Sequence, residues 1–206
     1  MNPSLDALRA TFGTAIGRST VARDGETVVF VDPAKLRDVM RWLRDTPGQT
    51  YNYLVDVTAV EYRDRERPLE VVYFLRSLER RTDLRVKVAL DPAGELAVES
   101  VVSLWAGAEW LEREVYDMFG IVFRGHPDLR RILMWETYAE GNPLRKEFPL
   151  RGRFSRSEQV RQALTANPEA HYSMGELSIA EAYDELPGDM KERLRRGERG
   201  KLPHSE

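Results

Sequence analysis

Three strand-type runs follow one another between Tyr51 and Leu90 with no helical run between them, and this succession limits the fold more than any other feature. In the first run Tyr53, Val55, Val57 and Ala59 fall on one side and Asn52, Asp56 and Thr58 on the other, the period of two that a half-buried strand needs. Glu70 to Leu75 is nearly all apolar and suits a central strand, whereas Leu84, Val86, Val88 and Leu90 alternate with Arg85 and Lys87. The turn Asp91-Pro-Ala-Gly94 ends the series, and the charged stretches 61–69 and 76–83 read as exposed hairpin loops. No repeating βαβ alternation demands a parallel sheet, so a mainly antiparallel or mixed one is expected.

Helical periods flank these runs. Leu5, Leu8 and Phe12 follow Asn2-Pro3 and precede Gly13, which predicts a short helix with Asn2 as its cap. After the β-branched run Thr27–Val31, Asp32-Pro33 opens a second helix whose Leu36, Val39, Met40 and Leu43 share one face, and Asp45-Thr-Pro-Gly48 stops it. A third is predicted over 103–119, with a stripe of Ala108, Leu111, Val115 and Met118 and with Gly120 as a left-handed C-terminal cap. The fold class that results is α+β: a single layered domain over residues 1–123, with helices packed on the sheet.

Beyond Phe123 neither period persists, and proline and glycine break any ladder. Yet residues 124–153 carry Leu129, Ile132, Leu133, Met134, Trp135, Tyr138, Leu144, Phe148 and Leu150. Leaving a large apolar side chain in water forgoes about 1.5–3 kcal/mol, so this stretch reads as an extended, irregular arm that lies on another surface. For residues 154–206 the capping boxes Ser155-x-x-Glu158 and Ser178-x-x-Glu181 predict short helices at 156–165 and 179–185. Six basic residues between Lys191 and Lys201, against Glu192 and Glu198, predict a basic, partly disordered tail.

Composition closes several functions. With no cysteine, the chain has no thiolates for an iron–sulfur cluster or zinc and no Cys nucleophile. His126, His171 and His204 are far apart and form no helical ligand pair. A formal net charge of -3 offers no broad positive field for nucleic acid. Neither glycine-rich nucleotide motif is present, so NADH is not expected to bind here. No apolar run approaches the roughly 20 residues that cross a bilayer, and the first residues lack the pattern of a signal peptide. The expectation is a cytoplasmic protein whose membrane contact comes through partners.

The most unusual stretch runs from Glu112 to Leu133. On a helix Glu109, Arg113 and Asp117 lie four apart, so Arg113 can bridge both acids on an exposed face. A second reading takes Glu114 and Asp117 as a carboxylate pair for acid–base work. In a third, these acids pair with arginines of the following arm or of a partner and fix the arm's exit. His126, before Pro127, reads as a turn histidine that bonds backbone or as a docking residue.

Taken together, Glu112-Arg113-Glu114, Asp117, Met118-Phe119, His126, Arg130 and Ile132-Leu133 reproduce, without a gap, a family pattern of fixed spacing across 22 positions. Trp105 to Trp110 before it, and Glu140-Gly-x-Pro-Leu-Arg-Lys-Glu-Phe-Pro-Leu150 after it, add to the match. On these residues the chain resembles the C subunit of proton-pumping NADH:quinone oxidoreductase, respiratory complex I, over about residues 50–150. The resemblance implies a structural subunit of the peripheral arm on the cytoplasmic side of the membrane. It would pack on the D subunit, whose surface helps form the quinone pocket. It also implies no cofactor in this chain, with FMN and iron–sulfur clusters in partner subunits. On this basis Glu112, Arg113, Glu114, Asp117, His126, Arg130, Arg131, Arg145, Lys146 and Phe148 are the expected partner-binding residues. Three alternatives stay open: the matching subunit of a related membrane-bound hydrogenase or other quinone-linked dehydrogenase, a hydrolase using Glu114, Asp117 and His126, and an adaptor using the basic tail.

Overall fold

Asn2 begins the fold by accepting the Ser4 amide at 2.9 Å and donating to Tyr51 Oη at 2.7 Å, which pins the first helix to the connection between the second helix and the strand that starts at Tyr53. The fold is that of a computed structural model, which describes residues 2–135, 137–150 and 152–166 together with residues 188 and 192. After α1 (Ser4–Phe12) come β1 (Ile16–Val21), β2 (Thr27–Val31), α2 (Leu36–Asp45), β3 (Tyr53–Glu61), β4 (Leu69–Ser77) and β5 (Thr82–Ala89). Then follow β6 (Ala97–Glu99), α3 (Ala108–Phe119), β7 (Val122–Arg124) and α4 (Arg156–Ala166). Five strands form a sheet in the order β1-β2-β5-β4-β3, and β6 and β7 form a separate parallel pair. Within the large sheet only β2 and β5 are parallel, so the sheet is mixed and mainly antiparallel, as the missing βαβ alternation requires.

Helices α1, α2 and α3 place Leu8, Met40 and Val115 in one apolar cluster with the sheet face formed by Val71, Tyr73, Leu75, Leu84 and Val86. The opposite face is not bare. Glu70 there is buried and holds Lys87 at 3.0 Å, Arg65 at 2.5 Å and Arg18 at 3.8 Å. Arg18 in turn lies 4.2 Å over the Phe30 ring, and Arg85 lies 5.4 Å over that of Phe74. The guanidinium groups themselves thus lie over aromatic rings and cover this face. This cover explains why Glu70 to Leu75 reads as a doubly buried strand although α1, α2 and α3 pack on the other face.

Several boundaries differ from the pattern reading. β1 has no period-two signal because Gly17 and Arg18 sit at a shift in register between Ile16 and Ser19. β6 and β7 hold only three residues each, too few for a period. In β3 the pairing shifts between Leu54 and Asp56, and this extra residue turns the start of the strand over. Tyr53, expected beside Val57, is therefore 49% exposed, while Tyr51 is buried. The third helix begins at Ala108 rather than at residue 103, because the Leu104 and Trp105 amides both bond Val101 O in a tight turn.

The chain separates into two units, residues 1–153 and 154–206. In the second, Ser155 Oγ accepts the Glu158 amide at 3.3 Å at the start of α4, the cap that the sequence signalled. The helix expected at 179–185 and, apart from residue 192, the basic tail lie outside the described residues.

Candidate functional site

An α-helix leaves its last four carbonyls without partners of its own. In α3 the partners come from the segment that follows. Asn142 Nδ2 donates to the carbonyls of Tyr116 at 3.3 Å and Asp117 at 2.9 Å, the Leu144 amide to Met118 O at 3.0 Å, and Arg145 Nη1 to Phe119 O at 3.4 Å. Gly120 makes this approach feasible. Its φ of +76° turns the chain out of the helix, and a Cβ there would stand 2.6 Å from Asn142 Oδ1. Gly120→Ala should therefore cost about 1–3 kcal/mol, a strained left-handed residue plus a displaced Asn142. Chemical denaturation checks this; an unchanged midpoint would refute the clamp.

The converse contacts run from α3 to the segment. Asp117 is fully buried; its Oδ1 takes Arg131 Nη1 at 2.5 Å, and its Oδ2 accepts the amides of Ile132, Leu133 and Met134 at 3.0, 2.8 and 2.8 Å. Burial alone would raise its pKa, but the Met134 amide, Arg131 and the other two amides outweigh burial and hold the carboxyl below the usual range. Arg131 also reaches Gly141 O at 3.1 Å and lies 5.3 Å from the centre of the Tyr138 ring. Arg113, also buried, donates to the carbonyls of Arg130 and Arg131, both at 3.1 Å. His126 Nδ1 accepts the Asp128 amide at 3.0 Å, so the ring hydrogen sits on Nε2, which donates to Glu109 O at 3.0 Å. Glu112 points the other way. Its carboxylate accepts from Ser100 Oγ and from the Val101 amide, each at 2.7 Å, and burial pushes its pKa up to about 7 against these hydrogen bonds.

The exposed bridge from Arg113 to Glu109 and Asp117 is thus not formed. An on-helix ion pair contributes only about 0.2–0.5 kcal/mol, whereas a buried polar group left without a partner costs about 1–3 kcal/mol, and the loop carbonyls and amides win. Glu114 is exposed and Asp117 buried, so the two carboxylates do not share a site either. The third reading, acids of the helix paired with arginines of the arm, describes Asp117 and Arg131. The surface on which the arm lies is, in the first place, its own α3. Arg145 is likewise engaged within the chain, 3.3 Å from Glu61, whose carboxylate also takes the Lys146 amide at 2.6 Å.

Of the remaining expected docking residues, Glu114 and Lys146 are exposed and Phe148 is half-buried. The Arg130 side chain is 60% exposed and pairs with Asp128 at 2.8 Å. The pattern reading missed Ser100, Glu61 and Asn142; only Asn142, between a glycine and a proline, carried a local sign of a turn. Around the clamp Trp110 and Leu133 are each 60% exposed, and Leu144 and Leu150 also face outward. Among the described residues no group of three or more His, Asp or Glu could hold a metal ion, and no helix is long and apolar enough to cross a membrane.

Comparison with known proteins places this geometry in a family. The model of the respiratory-chain NADH dehydrogenase 30 kDa subunit matches residues 29–154. The NADH-quinone oxidoreductase C subunit of Roseiflexus sp. is 46% identical over 146 residues, 71% of this chain and 82% of the relative. That of Xanthobacter autotrophicus is 40% identical over 155 residues, 74% and 73% of the two chains. Among solved structures, the trypsin-resistant fragment of Nqo5 is 30% identical with a TM-score of 0.53, covering 61% of this chain and 96% of the fragment. A chain of the membrane-bound sulfane sulfur reductase, an archaeal respiratory membrane complex, has a TM-score of 0.50 at 23% identity, covering 77% and 88%, and shares the fold. The chain belongs to the family of the respiratory-chain NADH dehydrogenase 30 kDa subunit, that of the NADH-quinone oxidoreductase C subunits.

Proposed function

We propose that the chain is the structural, cofactor-free C subunit of a proton-translocating NADH:quinone oxidoreductase. In this reading it docks through residues 124–153 and the outer face of α3 to the D subunit, on the cytoplasmic side of the membrane. Electrons pass from NADH through FMN and iron–sulfur clusters of other subunits to quinone. The supporting observation is the division of labour within one stretch of chain. The motif side chains Arg113, Asp117 and His126 turn inward and hold the segment, while Trp110, Leu133, Leu144 and Leu150 stay in water beside the exposed Glu114 and Lys146. Large apolar side chains grouped among charges mark an association surface.

The test is charge reversal where the chain itself loses nothing. Glu114→Lys together with Lys146→Glu touches two exposed side chains, and such changes alter stability by only about 0.5 kcal/mol each. The double variant, expressed in place of the native copy, is expected to fold normally and to be depleted from the purified membrane complex, as read by native mass spectrometry. Recovery at the native level, with full quinone reductase activity, would remove this face from the docking surface.

A further inference from the structure

We infer that Asp117 is the positioning residue of the docking segment, holding Leu133 directly, and through Arg131 and Gly141 the turn that leads to Leu144, ready for the partner without touching it. The inference rests on the docking reading above and adds how the surface is kept in shape.

A carboxylate in the last turn of a helix stands at the negative end of the helix dipole, and α3 has no basic residue in that turn to offset it. Asp117 therefore does not serve the helix that carries it. What it serves is visible in its contacts: one oxygen collects three consecutive amides, and the other the Arg131 guanidinium, all from the segment. The described residues of 125–143 form no helix or strand, so these bonds and the carbonyl caps of α3 supply the order that such an element would give.

The exposed leucines sit where the backbone is tied. The Leu133 amide is bonded to Asp117 Oδ2 at 2.8 Å and the Leu144 amide to Met118 O at 3.0 Å, while both side chains point to solvent. A fixed main chain with a free apolar side chain loses little further entropy when a partner covers it, which is how preorganisation raises affinity. The partner this arrangement fits is a neighbouring subunit that offers apolar surface to these leucines.

The experiment uses the full chain in its membrane complex. Asp117→Asn keeps the size of the side chain and loses the negative charge that gathers these donors. Hydrogen exchange at residues 132–134 is expected to quicken by about tenfold or more, with the amides of β4 and β5 unchanged, and recovery in the complex to fall by about tenfold. Asn142→Ala, which removes two carbonyl caps and leaves Asp117 in place, should move the same two readouts in the same direction; it carries the test where the first variant does not accumulate. A purely structural role is separated by a cycle. In a chain that already carries Leu133→Ala and Leu144→Ala, adding Asp117→Asn should change recovery little, because the groups it positions are gone. Additive losses overturn the inference, as does a loosened segment that assembles at the native level, or one that stays protected without the carboxylate. A wild-type chain absent from any such complex would instead count against the docking reading itself.

Discussion

Glu112→Gln is expected to stabilise the chain above neutral pH. Glu112 is fully buried, accepts two hydrogen bonds and makes no ion pair among the described residues, and burial raises its pKa from 4.5 to about 7. A folded-state pKa above the unfolded one means that the protonated form is favoured by folding. The contribution is complete below about pH 4.5, declines as pH rises to about 7 and stays lost above that. At about 1.4 kcal/mol per pKa unit, the loss across this window is on the order of 3 kcal/mol. Glutamine keeps an oxygen for the Val101 amide, and the Ser100 hydroxyl can turn to accept from its NH2. The variant should match the native chain near pH 5 and exceed it near pH 8 by roughly 2–3 kcal/mol. Urea denaturation at the two pH values decides: a stability difference that does not vary with pH would mean that the buried carboxyl is not the titrating group.

The second large effect is expected at Leu84→Ala. β5 is the middle strand of the sheet, and Leu84 faces Thr27 across the parallel pairing and Leu75 across the antiparallel one. It is fully buried. With neighbours fixed by hydrogen bonds on both sides, the site cannot collapse around the missing atoms, which places the cost toward the upper part of the usual range of about 2–5 kcal/mol. That is a large fraction of the about 5–15 kcal/mol by which domains are stable. A denaturation midpoint within about 0.5 kcal/mol of the native chain would show that β5 is not packed as described.

How much of this could be read beforehand depends on whether a signal is local. The helices of residues 4–12 and 36–45, the turn at Asp32-Pro33 and the three consecutive strands follow from period, caps and turn residues, and the pattern gave them nearly at their observed limits. Tyr53 was misplaced because a single extra residue in β3 inverts the alternation, and nothing in the sequence marks where it falls. The spacing from Glu112 to Leu133 identified the family, yet the direction of its side chains did not follow from spacing. Arg113 and Asp117 are four apart on any helix, and only tertiary donors and acceptors, lying 14 to 18 residues further on, decide that both turn toward the segment. Asn142 escaped notice for the same reason, since its role is set by the end of α3 and not by its neighbours in sequence.

The parallel contact of Thr27 with Leu84 fixes an order of assembly. β3, β4 and β5 are joined by short hairpins and can zip together early, but the hairpin of β1 and β2 must wait until everything through β5 has been made, and long closures are slow. During that interval one side of β5 lacks a neighbour and could recruit another nascent chain. Arg85, whose partners Asp24 and Glu26 arrive only with the β1–β2 hairpin, stands as a bare cation beside that gap until then and gives two such chains a reason to repel.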